Sequence, residues 1–187
     1  MIVLPRSLLL VAAAALLSAC GDNSARYLLE PPATQGQVRV PVRSIEVRDV
    51  SLPAYASASE IMLQDEDGAL RPISRAIWAD DPVRGVTLTL ARGIGQASTA
   101  RVMGEPWPLE DPADARIEVR IEQMVAQSDG IFRLTGQYSV ASPMQVTRER
   151  IERFEILQPM AGSDAGAVAD AAGAALATLS RQIVTRF

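Results

Sequence analysis

Two stretches of strict alternation, hinged on one dipeptide, constrain this chain most. Ile117, Val119 and Ile121 alternate with Arg116, Glu118, Arg120 and Glu122. Phe132, Leu134, Gly136, Tyr138 and Val140 alternate with Arg133, Thr135, Gln137 and Ser139. A strand turns successive side chains to opposite faces, so each stretch has one apolar and one polar side. Asp129-Gly130 between them is a hairpin turn. The chain must therefore hold an antiparallel pair with one wet face and one face that needs an apolar cover. After Pro143, residues 146–157 (VTRERIERFEIL) read as a third, highly charged strand. Its solvent face should carry cross-strand pairs of Arg and Glu.

Two helices supply the cover. Asp81-Pro82 is a start signal, with Asp as the cap and Pro at the first helical position. Val83, Val86, Leu90, Ile94 and Ala97 then recur at helical spacing and make one apolar face, with the helix running to about Gln96. Asp164 opens a second, Ala-rich helix striped by Val168, Ala172, Ala175, Leu176, Leu179, Ile183 and Phe187. Arg181 and Arg186 stand towards its C-terminal end, where the helix dipole favours cations.

The rest of the chain adds strands and loops. Residues 27–29 are a short apolar run stopped by Pro31-Pro32. Val38, Val40, Val42, Ile45 and Val47 alternate with polar residues, a strand with an edge or bulge at Pro41. Residues 60–64 and 70–78 are strands joined by the acidic turn Asp65-Glu66-Asp67-Gly68. Residues 104–114 (GEPWPLEDPAD) hold three prolines and form a loop. Strands, helix, three-strand meander, helix: this order predicts an α+β fold, an α/β two-layer sandwich. Its sheet is mixed and largely antiparallel, with both amphipathic helices packed on one face.

The N-terminus reads as an address. Arg6 precedes the apolar run of residues 8–17, which is too short to span a bilayer core of about 30 Å. Leu17-Ser18-Ala19-Cys20 resembles a bacterial lipobox, and Cys20 is the one cysteine in the chain. Residues 1–19 are thus expected to be a lipoprotein signal peptide, with Cys20 the lipidated first residue of the mature chain. Residues 20–26 would be the tether and residues 27–187 a single periplasmic domain. By the same resemblance, Gly21 rather than Asp after the cysteine points to the outer membrane, facing the periplasm. Six residues between Cys20 and Tyr27 reach at most about 20 Å, so the domain sits close to its membrane.

Composition removes most chemistry. The chain has no histidine, and all 18 basic residues are arginine. Imidazole bases and ligands, lysine Schiff bases and the phosphate-loop lysine are all excluded. The formal charge of −4, with no basic cluster, argues against nucleic acid. Asp65–Gly68 is no calcium loop, because Leu63 and Ser74 stand where an EF-hand needs carboxylates. Gly93-Ile94-Gly95 lies near a helix end, not between strand and helix, and carries no phosphate site. Glu149, Glu152 and Glu155 face Arg148, Arg150 and Arg153 as a solvated strand. No catalytic residue, cofactor or metal is expected. Pro106, Trp107 and Pro108 are the candidate partner-binding residues, Trp107 being either a rigid contact or a lid folded back on the core.

One longer series remains. Tyr27-Leu28-Leu29, Val47, Leu52-Pro53-Ala54-Tyr55, Glu60-Ile61, Trp78-Ala79-Asp80, Pro106-Trp107 and Ala175-Leu176…Leu179-Ser180-Arg181-Gln182-Ile183 occur in this order. With the lipobox, this series resembles the PqiC-type ABC transport auxiliary lipoproteins. Residues 56–59 and Tyr138 depart from it: the family tends to an Arg-containing stretch and a Trp there. The resemblance implies a non-enzymatic accessory of envelope transport systems built on MCE-domain proteins, which move lipids between two membranes. It implies an MCE-domain protein and its inner-membrane permease as partners, docked at the outer membrane. Self-association stays open, as does a general envelope-assembly or scaffold role.

Overall fold

β6 (Ala115–Gln127) is the spine of the molecule. The structure, a computed structural model, describes residues 23–32 and 36–187. Residues 1–19, expected to be a signal peptide, and Cys20 therefore lie outside the described residues. Along one edge β6 pairs with β7 (Ile131–Ala141), which pairs with β8 (Arg150–Pro159), both antiparallel. The other edge of β6 is shared end to end. Its first half pairs in parallel with β2 (Ser44–Val47), which carries β5 (Arg101–Gly104). Its last residues pair in parallel with β3 (Glu60–Gln64). β3 carries β4 (Leu70–Trp78), and β4 carries β1 (Ala25–Tyr27). The sheet is forked and mixed, and its long pairings are antiparallel, as the sequence predicts.

Both helices cover one face. α1 (Pro82–Ala97) is capped by Asp81, whose side chain accepts from the Arg84 N–H at 2.9 Å. It buries Val86, Leu90, Ile94 and Ala97. α2 (Ala165–Thr185) is capped by Asp164, which accepts from Gly166 and Ala167. The stripe of Val168, Ala172, Ala175, Leu176, Leu179 and Ile183 is buried as expected, and Phe187 is partly buried. The helices touch closely. A Cβ on Gly93 would lie 2.5 Å from Ser180 Oγ. The opposite face is wet and charged. Arg133 pairs with Glu155 at 2.6 Å and Arg153 with Glu122 at 3.3 Å, the cross-strand pairs foreseen.

Three segments differ from the sequence reading. The strand expected over residues 38–47 is regular only from Ser44 to Val47. Before it, Pro41 has no N–H, and the neighbouring amides bond to side chains. Val40 N donates to Thr99 Oγ1, and Arg43 N to Asp114 Oδ2. β8 begins at Arg150, not residue 146, because Ser142 Oγ accepts the N–H groups of Val146 and Thr147 in a local turn. β5 was not foreseen at all.

The β6–β7 pair carries one irregularity. Glu122 is an extra residue between the pairs Ile121↔Gly136 and Gln123↔Thr135, a β-bulge. Opposite it, a Cβ on Gly136 would lie 2.2 Å from the Arg120 carbonyl oxygen. Two residues on, Tyr138 is 1% exposed and stacks on Phe154 at 6.5 Å. Its hydroxyl has no hydrogen-bond partner among the described residues. Burial, helped by Glu152, pushes its pKa up. Tyr138→Phe should therefore stabilise the domain by about 1 kcal/mol, since it removes an unsatisfied buried group. The gain should grow in alkali. A tyrosine ionises in the unfolded chain near 10.0 and later in the fold, so wild-type stability falls as pH rises through that interval. Melts of both proteins at neutral and alkaline pH check this; a less stable Phe variant would show that the hydroxyl has a partner.

Candidate functional site

The N-terminal segment enters the domain through a slot made by small residues. Tyr27 pairs with Trp78, and Ala79 N donates to the Tyr27 carbonyl at 2.8 Å. Thr89 Oγ1 donates to the Leu29 carbonyl at 3.2 Å. A Cβ on Gly173 would sit 2.3 Å from the Glu30 carbonyl oxygen, so only glycine lets this backbone cross α2 there. On either side, the Tyr27 ring lies beside Gly166 and Leu29 beside Gly85. Residues 27–31 thus form a strap held between the two helices.

Beside the strap lies a groove of about 180 Å³. Tyr27, Leu28, Leu29, Trp78, Pro82 and Leu88 give it apolar walls, with Asp80, Asp81 and Arg92 on its rim. Leu28 is 59% exposed and Leu88 is 38% exposed. The rim carboxylates are engaged: Asp81 caps α1, and Asp80 bonds to Arg84. The groove offers apolar area, and the Thr89 hydroxyl in its lining is engaged with the Leu29 carbonyl. Sequence reasoning missed it. Its signal was Leu88, an apolar residue off the buried stripe of α1.

Gly104, at the end of β5, rests against Leu88 and Thr87, so the proline-rich loop leaves from the outer flank of the same helix. Glu105 ties the loop down. Its N–H donates to the Val47 carbonyl at 2.8 Å, and its carboxylate pairs with Arg48 at 3.0 Å. Trp107 is half-buried, and its Nε1–H donates to the Asp111 carbonyl at 2.8 Å. The indole's polar end is thereby satisfied inside its own loop, and the ring stays partly open to solvent. Pro106 and Pro108 are exposed, and so is Leu109. Cys20 lies outside the described residues.

Other sequence features have local roles. The acidic turn is closed by Arg71, which bonds to both Asp65 and Asp67. Among the described residues, no group of His, Cys, Asp or Glu is placed to hold a metal ion, and no helix is long and apolar enough to cross a membrane.

Comparison places this architecture among known proteins. The family model of the ABC-type transport auxiliary lipoprotein component matches residues 27–184. Among curated proteins, none matches the chain significantly by sequence. The crystal structure of an uncharacterised protein superposes with a TM-score of 0.63 at 14% identity, over 82% of this chain and 98% of the other. A protein from Xanthomonas campestris assigned to the family DUF330 gives 0.62 at 16% identity, over 86% of this chain and 90% of its own. At these identities the likeness shows the fold.

Proposed function

We propose, because the chain belongs to the ABC-type transport auxiliary lipoprotein family, that it is a non-enzymatic docking component of an envelope transport system. The match over residues 27–184 carries this reading, since it spans both the strap and the two layers. In this reading Cys20 is lipidated and holds residues 27–187 at the periplasmic side of the outer membrane. The partner is an MCE-domain protein served by an inner-membrane permease, and the cargo is lipid. The geometry supports the role in two ways. The strap ties the domain to its anchor through the helix layer, and the exposed Leu28, Leu88 and proline-tryptophan loop offer apolar area for a partner.

The anchor is tested first. Cys20→Ser should move the protein out of the membrane fraction and leave an uncleaved precursor. Normal processing and unchanged outer-membrane fractionation would end the anchor reading.

Docking is tested on the loop. A ring stiffened by flanking prolines loses little entropy on binding, and Trp supplies large apolar area. Trp107→Ala should weaken association with the MCE protein by about 1 kcal/mol or more. Its melting temperature should stay near wild type, because the indole is half-buried and bonds within its own loop. Binding titration and thermal melt on the same preparation decide the matter. Unfolding on substitution would make the loop a lid on the core instead.

A further inference from the structure

β8 is an edge strand whose outward side matches itself. Among the described residues it pairs with β7 alone. Its hydrogen-bond polarity follows from the hairpin base: Met160 N donates to the Gly130 carbonyl, and the register from Ile131↔Pro159 to Val140↔Arg150 runs without a shift. Even-numbered residues therefore direct their backbone groups at β7. Ile151, Arg153, Glu155 and Leu157 direct theirs away, where they meet no strand. The side chains of these four stand on the wet face and are exposed, Ile151 at 74% and Leu157 at 51%. Edges left to solvent are usually short, bulged, charged or broken by proline. β8 runs for ten residues, has no register shift, and carries proline only at its last position.

The order Ile-x-Arg-x-Glu-x-Leu is complementary to itself when run antiparallel. Set a twofold axis at Phe154. Ile151 of one copy then faces Leu157 of the other, and Arg153 faces Glu155, with backbone bonds at both pairs. A slide of two residues one way brings Arg153 against Arg153, and the other way Glu155 against Glu155. A slide of one residue matches inward side chains with outward ones. Of these registers, only the one centred on Phe154 avoids a clash of charge or face. The flanking charges agree. Arg153 already bonds to Glu122 and Glu155 to Arg133 within each chain. Across the axis the row would read Glu122, Arg153, Glu155, Arg133, alternating in sign from one sheet into the next.

We propose that β8 is a homotypic docking edge, through which two copies join their sheets antiparallel about Phe154. Chains held at one membrane surface meet at high effective concentration, so a modest edge suffices.

The test uses the full chain reconstituted on lipid vesicles, which keeps copies on one surface as in the anchored form this step rests on. Arg153→Glu or Glu155→Arg alone should weaken self-association at least tenfold, with the melting temperature little changed because both side chains are exposed. The combined reversal, R153E with E155R, should recover part of it, since it re-pairs the two strands while setting like charges beside Glu122 and Arg133 within each chain. Independently, mixing Arg153→Cys with Glu155→Cys protein should give a disulfide faster than either alone, since facing hydrogen-bonded residues lie about 5.5 Å apart at Cα. Several results would overturn the proposal: a monomer throughout, self-association indifferent to the reversals, or cross-linking of this edge to a transport partner and not to a second copy.

Discussion

Trp78→Ala should destabilise the domain by about 3–5 kcal/mol, the range for removing a buried large aromatic. The indole is 8% exposed and stands where β1, β4 and the helix layer meet. It forms part of the wall of the apolar groove on one side. On the other it lines a small crevice with Tyr55, Met124, Phe132 and Val168. Truncation would join the two and let water reach Phe132 and Val168. The cost then exceeds the lost area alone, because the strap pairs through Tyr27 to this same residue. Trp78→Phe, which keeps a ring in the gap, should recover more than half. Equilibrium urea unfolding of both variants is the check. A Trp78→Ala midpoint within error of wild type would mean the tryptophan is not packed as described.

Gly136→Ala is the second large effect, about 3 kcal/mol or more, at the upper end of the range for overpacking. The added methyl meets the Arg120 carbonyl oxygen at 2.2 Å and the Phe154 ring at 3.0 Å. The ring can move; the backbone at a bulge cannot without breaking the register that follows. The loss should therefore be rescued by deleting Glu122, the extra residue, and not by trimming Phe154. Thermal unfolding of the single and combined variants measures this. A Gly136→Ala protein as stable as wild type would show that the strand gives way there freely.

The long strands were legible because each has one wet face. Alternation through Ile117–Ile121 and Phe132–Val140 states which side is buried, and Asp129-Gly130 states how the two are joined. Pairing between distant segments leaves no such trace. Nothing in Ser44–Val47 says that it lies beside Arg101–Gly104, and β5 itself has only Val102 and Met103 as apolar signal. It exists because Val102 and Gly104 close onto Gly95, Thr87 and Leu88 of α1. Caps and stripes gave both helices, since Asp81-Pro82 and Asp164 are local chemistry. The strap was harder. Nothing in the local pattern of α2 marks Gly173 as the place where residues 27–31 cross, and only the fold shows it. Trp107 was legible as an oddity of its loop; its bond to Asp111 was not.

The fork at β6 has a kinetic consequence. The hairpin of β6 and β7 closes over a three-residue turn, whereas the contacts that join β2 to β6 span 70 residues and those that join β3, the root of the strap's arm, span 63. Closing a long loop is entropically costly until neighbouring contacts reward it. Within the sheet the two arms of the fork share no partner but β6, so neither can join the meander before that strand is in place. Refolding should thus begin in the meander of β6, β7 and β8, with α2 condensing on it. The arm that carries the strap arrives late. In the anchored form proposed above, the segment nearest the anchor would be the last to be locked into the domain.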